Sequence, residues 1–452
     1  MRLVRDGRIL FKDVTPTGHL SNHWTAGASL AWYPAFVAAD VVARGDGFQV
    51  LYVAAAAFTS AVAGLFVLLC GLRLTRNPIA AIAIWLGSPL AFYATRHATM
   101  SHAISAAACA AVVMLSLRLR EGGGSALAVG MAIGFACATR PQNVVIALVP
   151  LLIAPSSLKR AHVMLAGALL AALPQLIVSQ TLWSAPFAFV NIGGRAHPWQ
   201  MFATFRPFET LFSWYHGLAT WTPVLLLAIA GLFFVKDKAL ARAGLITFAA
   251  QWLLLSVLER WFWGGLSFGQ RRFDSCTLFF IIGLAALLER LPRWLGWTLT
   301  ALTTAWTMVL FIASAQLNLN RYQAPGELLD AFRAAGPEWR TFLGFTPPQL
   351  RTEVLLSMLL TAVVSAAIAW IARRYGTALA TAYLIGMSIF YAWCGLHPKH
   401  DARSRALIAA KMPSGSAADT VTLLRYEADY MQRTGRPEEA AKALREASEI
   451  RP

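Results

Sequence analysis

A chain of 452 residues that is 57% hydrophobic and only 13% charged has too little polar surface to be a soluble globule of that size. Its formal net charge of +17 would suggest nucleic acid in a soluble protein, but much of the excess lies in short loops between apolar runs, where the positive-inside bias puts it. The composition therefore points to an all-α polytopic membrane protein with no nucleic-acid partner.

The N-terminal stretch RLVRDGRILFKDVTPTGHLSNHW is polar and turn-rich, and no apolar core follows its early arginines, so it reads as a loop rather than a secretory signal. Residues 26–42 are moderately apolar, broken by Pro34 and carry Asp40, which fits a short crossing or a helix lying at the interface. From Val50 onward about twelve crossings are expected, near 50–72, 78–94, 102–118, 125–138, 142–154, 162–181, 218–235, 242–258, 274–289, 295–313, 353–372 and 377–397. This divides the chain into an outer loop with an interfacial helix (1–49), a bundle (50–397) and a polar tail (398–452).

Every second loop is short and basic: Arg73 and Arg76, Arg118 and Arg120, Lys159 and Arg160, Lys236 with Lys238 and Arg242, Arg290 and Arg293, Arg373 and Arg374. That side is assigned to the cytoplasm. The other side receives the long loops 182–217, 259–273 and 314–352 and the tail. The same parity places Val50 outside and, if residues 26–42 lie flat rather than crossing, residues 1–25 as well, which leads to the expectation that a first membrane helix precedes Met1. The five cysteines, Cys70, Cys109, Cys137, Cys276 and Cys394, lie in or beside apolar segments without metal-ligand spacing and read as small buried hydrophobes.

Against this topology, Arg96, Arg140, Arg271 and Arg272 stand out, because all four fall on the face where positive charge is disfavoured. The pair Arg271 and Arg272 closes WFWGGLSFGQRRF, where three aromatics and two glycines precede it. A charge at the bilayer centre costs about 3 kcal/mol or more, so the pair either snorkels to lipid headgroups or holds an anion. His97 and His102 lie in or beside the outer turn of Arg96, and Arg140 opens RPQN at another.

The tail ends in LRYEADYMQRTGRPEEAAKALREASEIRP, whose Ala428, Ala440, Leu444, Ala447 and Pro452 loosely fit one tetratricopeptide-like repeat. A single repeat cannot bury its own face, so the tail is expected to pack on the loops, on a second copy or on a protein partner.

Five stretches carry a family resemblance: TPTGHLSNHWTAGASLAWYPAF, SHAIS, TRPQNVV, LFSWYHGLATWTPVLLL and GGLSFGQRRF, within residues 15–273. Together they resemble the bacterial membrane glycosyltransferases of the GT-C superfamily, similar to the protein O-mannosyltransferase and aminoarabinose transferase group. The resemblance implies a GT-C-like bundle with interfacial helices in the first outer loop, in the bacterial inner membrane. It also implies transfer of a sugar from a polyprenyl-phosphate carrier to a lipid, glycan or protein acceptor on the outer face.

On that resemblance Arg271 and Arg272 match the basic pair that grips the donor phosphate, and Asn22 and His23 match a phosphate-facing or substrate-facing polar pair that contributes to donor binding. Arg96, His102 and Arg140 become further donor contacts. The family's acidic motif would fall before Met1, which leaves Asp13, and after it Asp6, as the carboxylates nearest the right place. No cofactor is implied beyond the lipid-linked donor; membrane lipids are partners, and a divalent metal is left open. Two rivals stand beside the transferase: a twelve-helix secondary transporter, and a non-catalytic membrane assembly protein.

Overall fold

A computed structural model describes residues 4–5, 8–9, 24–43, 49–186, 205–258, 268–316, 324–335, 428 and 437–449. Apart from a two-residue antiparallel pairing of Val4–Arg5 with Arg8–Ile9, the regular structure among them is helical. Five helices are long and apolar enough to cross a membrane: Val53–Thr75, His102–Arg120, Pro155–Trp183, Lys238–Val257 and Arg293–Ser314. They give the chain the make-up of a multi-pass membrane protein. The expected crossings at 353–372 and 377–397 lie outside the described residues, as do Cys394 and Pro452.

In chain order the first elements are α1 (Gly27–Ala43), α2 (Gln49–Thr75), α3 (Pro78–Gly87), α4 (Pro89–Thr95), α5 (His102–Arg120) and α6 (Ala126–Thr139). The crossing expected at 78–94 is two helices bent by 70°, because Pro89 cannot continue α3 and Ser88 instead caps α4 by accepting from the Leu90 N–H. Arg140 then ends α6 in an extended conformation, as the residue before Pro141 must. A 3₁₀ turn (Pro141–Ala147), the short α7 (Leu148–Ile153) and a second 3₁₀ turn (Pro155–Arg160) lead into α8 (Ala161–Trp183).

The later elements are α9 (Pro207–Phe212), α10 (Leu218–Trp221), α11 (Val224–Leu232), α12 (Lys238–Leu258), a 3₁₀ turn (Arg271–Cys276), α13 (Thr277–Leu288), α14 (Arg293–Gln316), α15 (Pro325–Ala335) and, in the tail, α16 (Pro437–Glu449). The tail helix leaves Leu444 46% exposed, so that apolar side chain is not covered by the rest of the chain.

Two close helix contacts build the bundle. A Cβ at Gly130 or Gly134 of α6 would collide with the Met164 or Ala168 carbonyl of α8, and one at Gly231 of α11 would collide with the Gly283 carbonyl of α13. Small residues let these backbones touch, which is how apolar helices associate where lipid is as apolar as they are. The outer face of α8 carries Leu165, Leu169, Leu170, Leu173 and Ile177 exposed, the pattern of a lipid-facing surface.

The short helices position the site. At 1.5 Å per residue, the 14 residues of α6 and the 12 of α13 rise only about 21 and 18 Å, against a hydrocarbon thickness of about 30 Å. At one end of each, polar residues stay buried: Thr139 closes α6, and Asp274 and Thr277 stand at the start of α13.

Helix α1, with Pro34 inside it, is fixed against α6 at the end that carries Arg140. Thr25 Oγ1 donates to the Thr139 carbonyl at 2.6 Å, and the Ala26 N–H donates to Gln175 Oε1 at 2.6 Å. Gly27 lies so close to the Thr139 backbone that no side chain fits there.

Candidate functional site

Helix α5 begins at His102, whose ring is buried at 2% exposure. Its Nδ1 lies 2.8 Å from Asp274 Oδ2 and its Nε2 lies 3.2 Å from Arg140 Nη1. A guanidinium only donates, so Nε2 must accept and Nδ1–H must donate to the carboxylate. Geometry alone therefore fixes His102 as the neutral Nδ1–H tautomer, held between a cation and an anion. Arg140 also donates from Nη1 to Ser101 Oγ at 3.2 Å, and its Nε lies 3.7 Å from Asp274 Oδ2. Asp274 is thus contacted from two other elements, the start of α5 and the end of α6.

The arginine pair reaches the same place from a third element. The Arg271 guanidinium donates from Nη1 to Met100 Sδ at 3.3 Å and lies over the Tyr93 ring at 5.8 Å, a cation–π contact. The Tyr93 ring also packs against His102, with ring centroids 4.2 Å apart. Tyr93 also accepts at its hydroxyl from the Phe268 N–H at 2.9 Å, which pins the strand of chain that leads into the pair.

Arg272 is buried at 8% exposure, and its carbonyl accepts from Gln251 Nε2 at 3.0 Å and Gln142 Nε2 at 3.5 Å. Gln251 accepts in turn from Ser275 Oγ at 3.3 Å. Two glutamines from separate elements therefore hold the backbone of the pair while the arginine side chains project from it. Gly269, just before, takes a left-handed φ of 57° that favours glycine.

Three guanidiniums, Arg140, Arg271 and Arg272, thus gather around a single carboxylate and a neutral imidazole, which leaves a local excess of positive charge. Arg96 closes α4 at the same end, and the neighbouring His97 stacks on Phe92 with centroids 4.9 Å apart. Ser88, His102, Gln270, Arg271 and Asp274 contribute to the wall of a small, partly open cavity that leaves about 10 Å³ for the centre of a water molecule, room for roughly one. It is too small for a sugar ring, so any ligand of that size must meet these groups from the rim.

The sequence reading named Arg96, His102, Arg140, Arg271 and Arg272, and all five are at this end of the bundle. Asp6, Asp13, Asn22 and His23 lie outside the described residues. What the reading missed is Asp274, which stands two residues after the pair in QRRFD and was counted as the first residue of an apolar crossing. Tyr93, Gln142 and Gln251 were also missed, although Tyr93 opens the YATRHATMSHAIS stretch around Arg96 and Gln142 falls inside TRPQNVV. No cluster of His, Cys, Asp and Glu suited to a metal ion occurs among the described residues.

The two clusters of charge lie at opposite ends. Arg120, at the far end of α5, pairs with Asp237 at 2.7 Å, and Lys236 pairs with Glu289 at 2.8 Å. These contacts tie three of the short basic loops together, about 28 Å along the 19-residue α5 from His102. No model of a known protein family, no curated protein and no solved structure matches the chain.

Proposed function

We propose that this chain is a membrane glycosyltransferase of the GT-C type in the bacterial inner membrane, using a polyprenyl-phosphate-linked sugar as donor. The observation that carries the reading is the convergence of Arg140, Arg271 and Arg272, from two distant parts of the sequence, around one carboxylate at the end opposite the basic loops.

In the reaction an acceptor hydroxyl oxygen attacks the anomeric carbon, the bond from that carbon to the phosphate oxygen breaks, and the bonding electron pair leaves with the lipid phosphate. Preorganised guanidiniums stabilise that developing charge most where water is excluded. Arg271, less buried than Arg272 and held over Tyr93, is the one placed to meet a ligand at the rim. His102 bridges Asp274 and Arg140, so the part of this pair is to fix the arginine frame. The hydroxyl proton then goes to a carboxylate in the first outer loop, the role assigned to Asp13 or Asp6.

The test is sugar transfer from a polyprenyl-phosphate donor in membranes carrying Arg271→Ala or Arg272→Ala. Losing one such donor group lowers turnover by about 100-fold or more. Wild-type turnover in both variants, with insertion and folding intact, removes the reading.

A secondary transporter is favoured by one specific observation: the helix broken by 70° at Ser88 opens onto the same cavity as His102 and Asp274. Uphill solute flux in sealed vesicles, abolished by Asp274→Asn, would decide for it.

A further inference from the structure

Five aromatic rings within residues 205–215, those of Phe205, Phe208, Phe212, Trp214 and Tyr215, are between 47% and 73% exposed. Rings exposed this densely are rare on a surface that faces water, and they mark contact with protein or lipid. Thr210 and Leu211 are buried, so α9 has one side on the bundle and one side uncovered by the described residues. Phe208 and Phe212, four positions apart, share the uncovered side.

Helix α12 fixes the level of this segment. Its membrane-length part, Lys238–Val257, has 20 residues and rises about 30 Å from the basic loop at Lys238, the thickness of a hydrocarbon core. The Arg206 N–H donates to the Ser256 carbonyl at 3.0 Å, one residue short of the end of that span, and Trp252 Nε1 donates to the Pro207 carbonyl at 2.8 Å. The segment is therefore tied to the last turns of the crossing, where acyl chains give way to headgroups. Ile246 and Leu253, two turns apart on α12, are exposed, so the lipid-facing side of that helix runs up to the tie. Gln251, next to Trp252, holds the Arg272 carbonyl, so the segment and the arginine pair are fastened to adjacent residues of one helix.

Charge is mixed into the exposed rings, with Arg206 half-exposed and 4.0 Å from a partly exposed Glu209. Contacts between proteins deplete charge at their centre, whereas a headgroup layer accepts it and lets an arginine snorkel. Trp and Tyr add rings with a polar tip, the residues enriched at that layer.

The chain then turns back sharply, which leaves Trp214 and Tyr215 outside. His216 is the pivot: it is fully buried against Trp221 at 4.4 Å between ring centroids, its ring nitrogens have no hydrogen-bond partner among the described residues, and its backbone is left-handed at φ 59°. Gly217 N–H and Thr220 Oγ1 both donate to the Ser213 carbonyl, at 3.0 and 2.7 Å, and Trp221 Nε1 donates to the Trp214 carbonyl at 3.2 Å. The outward rings are thus held by a braced turn.

We propose that residues 205–215 are an interfacial membrane anchor: Phe205, Phe208 and Phe212 enter the acyl boundary of the leaflet at the arginine end, and Trp214 and Tyr215 lie at its headgroups. The partner is the phospholipid surface itself, and the anchor needs no sugar-transfer activity. Through α12 it keeps the turn of Arg271 and Arg272 near the level of the lipid phosphates.

A nitroxide attached at Phe208→Cys, in the cysteine-free full chain in phosphatidylcholine nanodiscs, reads the depth by power saturation. Relaxation by oxygen should exceed relaxation by a water-soluble nickel chelate and place the label about 5–10 Å below the phosphates. The same label at Gly123→Cys should respond to nickel instead. Nickel-dominated relaxation at Phe208→Cys would put the segment in water and overturn the anchor. Shielding from both reagents would mean a protein cover, from a second copy or another part of the chain, and would overturn it as well. So would a depth of about 15 Å, the bilayer midplane.

A second measurement uses the unsubstituted protein. Phosphatidylcholine with a diazirine near the top of its acyl chain should leave photoadducts on residues 205–215 as well as on the exposed Leu169 and Leu170 of α8. Adducts on α8 with none on 205–215 would remove the proposal.

Discussion

The two ends of the bundle use the same residue types to different effect. At the basic-loop end, Arg120 and Asp237 are 34% and 35% exposed in their side chains, and Lys236 and Glu289 are 83% and 55% exposed. At the arginine end, His102 and Asp274 are 3% and 7% exposed and Arg140 is 13%. Exposed pairs are screened and contribute at most about 1 kcal/mol, whereas a buried charge depends on every partner it has. The comparison teaches that charge at one end is left to solvent, whereas charge at the other is held in place by buried partners.

The largest expected effect is all or none. In a cysteine-free background, Gly123→Cys in the turn after α5 and Trp214→Cys in the turn before α10 are placed at opposite ends; Trp214 is 65% exposed, and a side chain at Gly123 meets nothing within 4 Å. A membrane-impermeant maleimide added to intact cells labels the Trp214 site and not the Gly123 site. The reverse pattern would put the arginine end in the cytosol and remove the basis for a lipid-phosphate donor there.

Next in size is the loss of the carboxylate. Asp274→Ala leaves Arg140 and the His102 N–H buried without their acceptor, and should cost about 3–5 kcal/mol in unfolding free energy. Asp274→Asn keeps the shape and one acceptor oxygen and should cost less. Chemical denaturation in mixed micelles reads both; a loss below about 1 kcal/mol for Asp274→Ala would make this end energetically equal to the other.

His216 gives a smaller, pH-dependent effect. Its folded-state pKa, about 3, lies below the unfolded value of about 6.5, so the unfolded chain takes up the proton first as pH falls. Its contribution is therefore complete above about pH 6.5 and is lost toward pH 3, by up to about 1.4 kcal/mol per pH unit. His216→Asn should flatten that slope in thermal melts between pH 7 and 4.5, and an unaltered slope would assign the acid sensitivity elsewhere.

How much of this was legible in the sequence depends on the range of the signal. Hydropathy and capping are local, so α2, α5, α8, α12 and α14 fall close to the expected boundaries. The clustered arginines stood out for the same reason, since an Arg outside the short basic loops is visible from its own loop. The break at Ser88 was also written locally, in the Ser-Pro pair, but the apolar run on both sides masked it. Asp274 was not legible as a site residue, because its partners His102 and Arg140 are 172 and 134 positions away and nothing in QRRFD names them. His216 was hidden differently: its meaning lies in bonds it does not make, which a sequence does not record.

The smallest effect is the one expected at the basic-loop end, and it completes the contrast. Partial burial raises the Asp237 carboxyl, but the Leu240 N–H, the Arg120 guanidinium and the Ala239 N–H outweigh it and hold it below its ordinary value. With the folded pKa depressed, this stabilisation is present above the unfolded carboxylate pKa and is lost as pH falls through the folded one. Because the pair is about one-third exposed, a double-mutant cycle of Arg120→Ala and Asp237→Ala should give a coupling of only about 0.2–1 kcal/mol, decreasing with salt. Asp237 also caps α12 by accepting from the Ala239 and Leu240 N–H groups at 3.0 and 3.1 Å, so Asp237→Ala alone should cost about 1 kcal/mol more than Arg120→Ala. A coupling of about 3 kcal/mol or more, the size expected on breaking a buried pair, would mean that this pair, too, is held away from water, and that exposure does not separate the two ends.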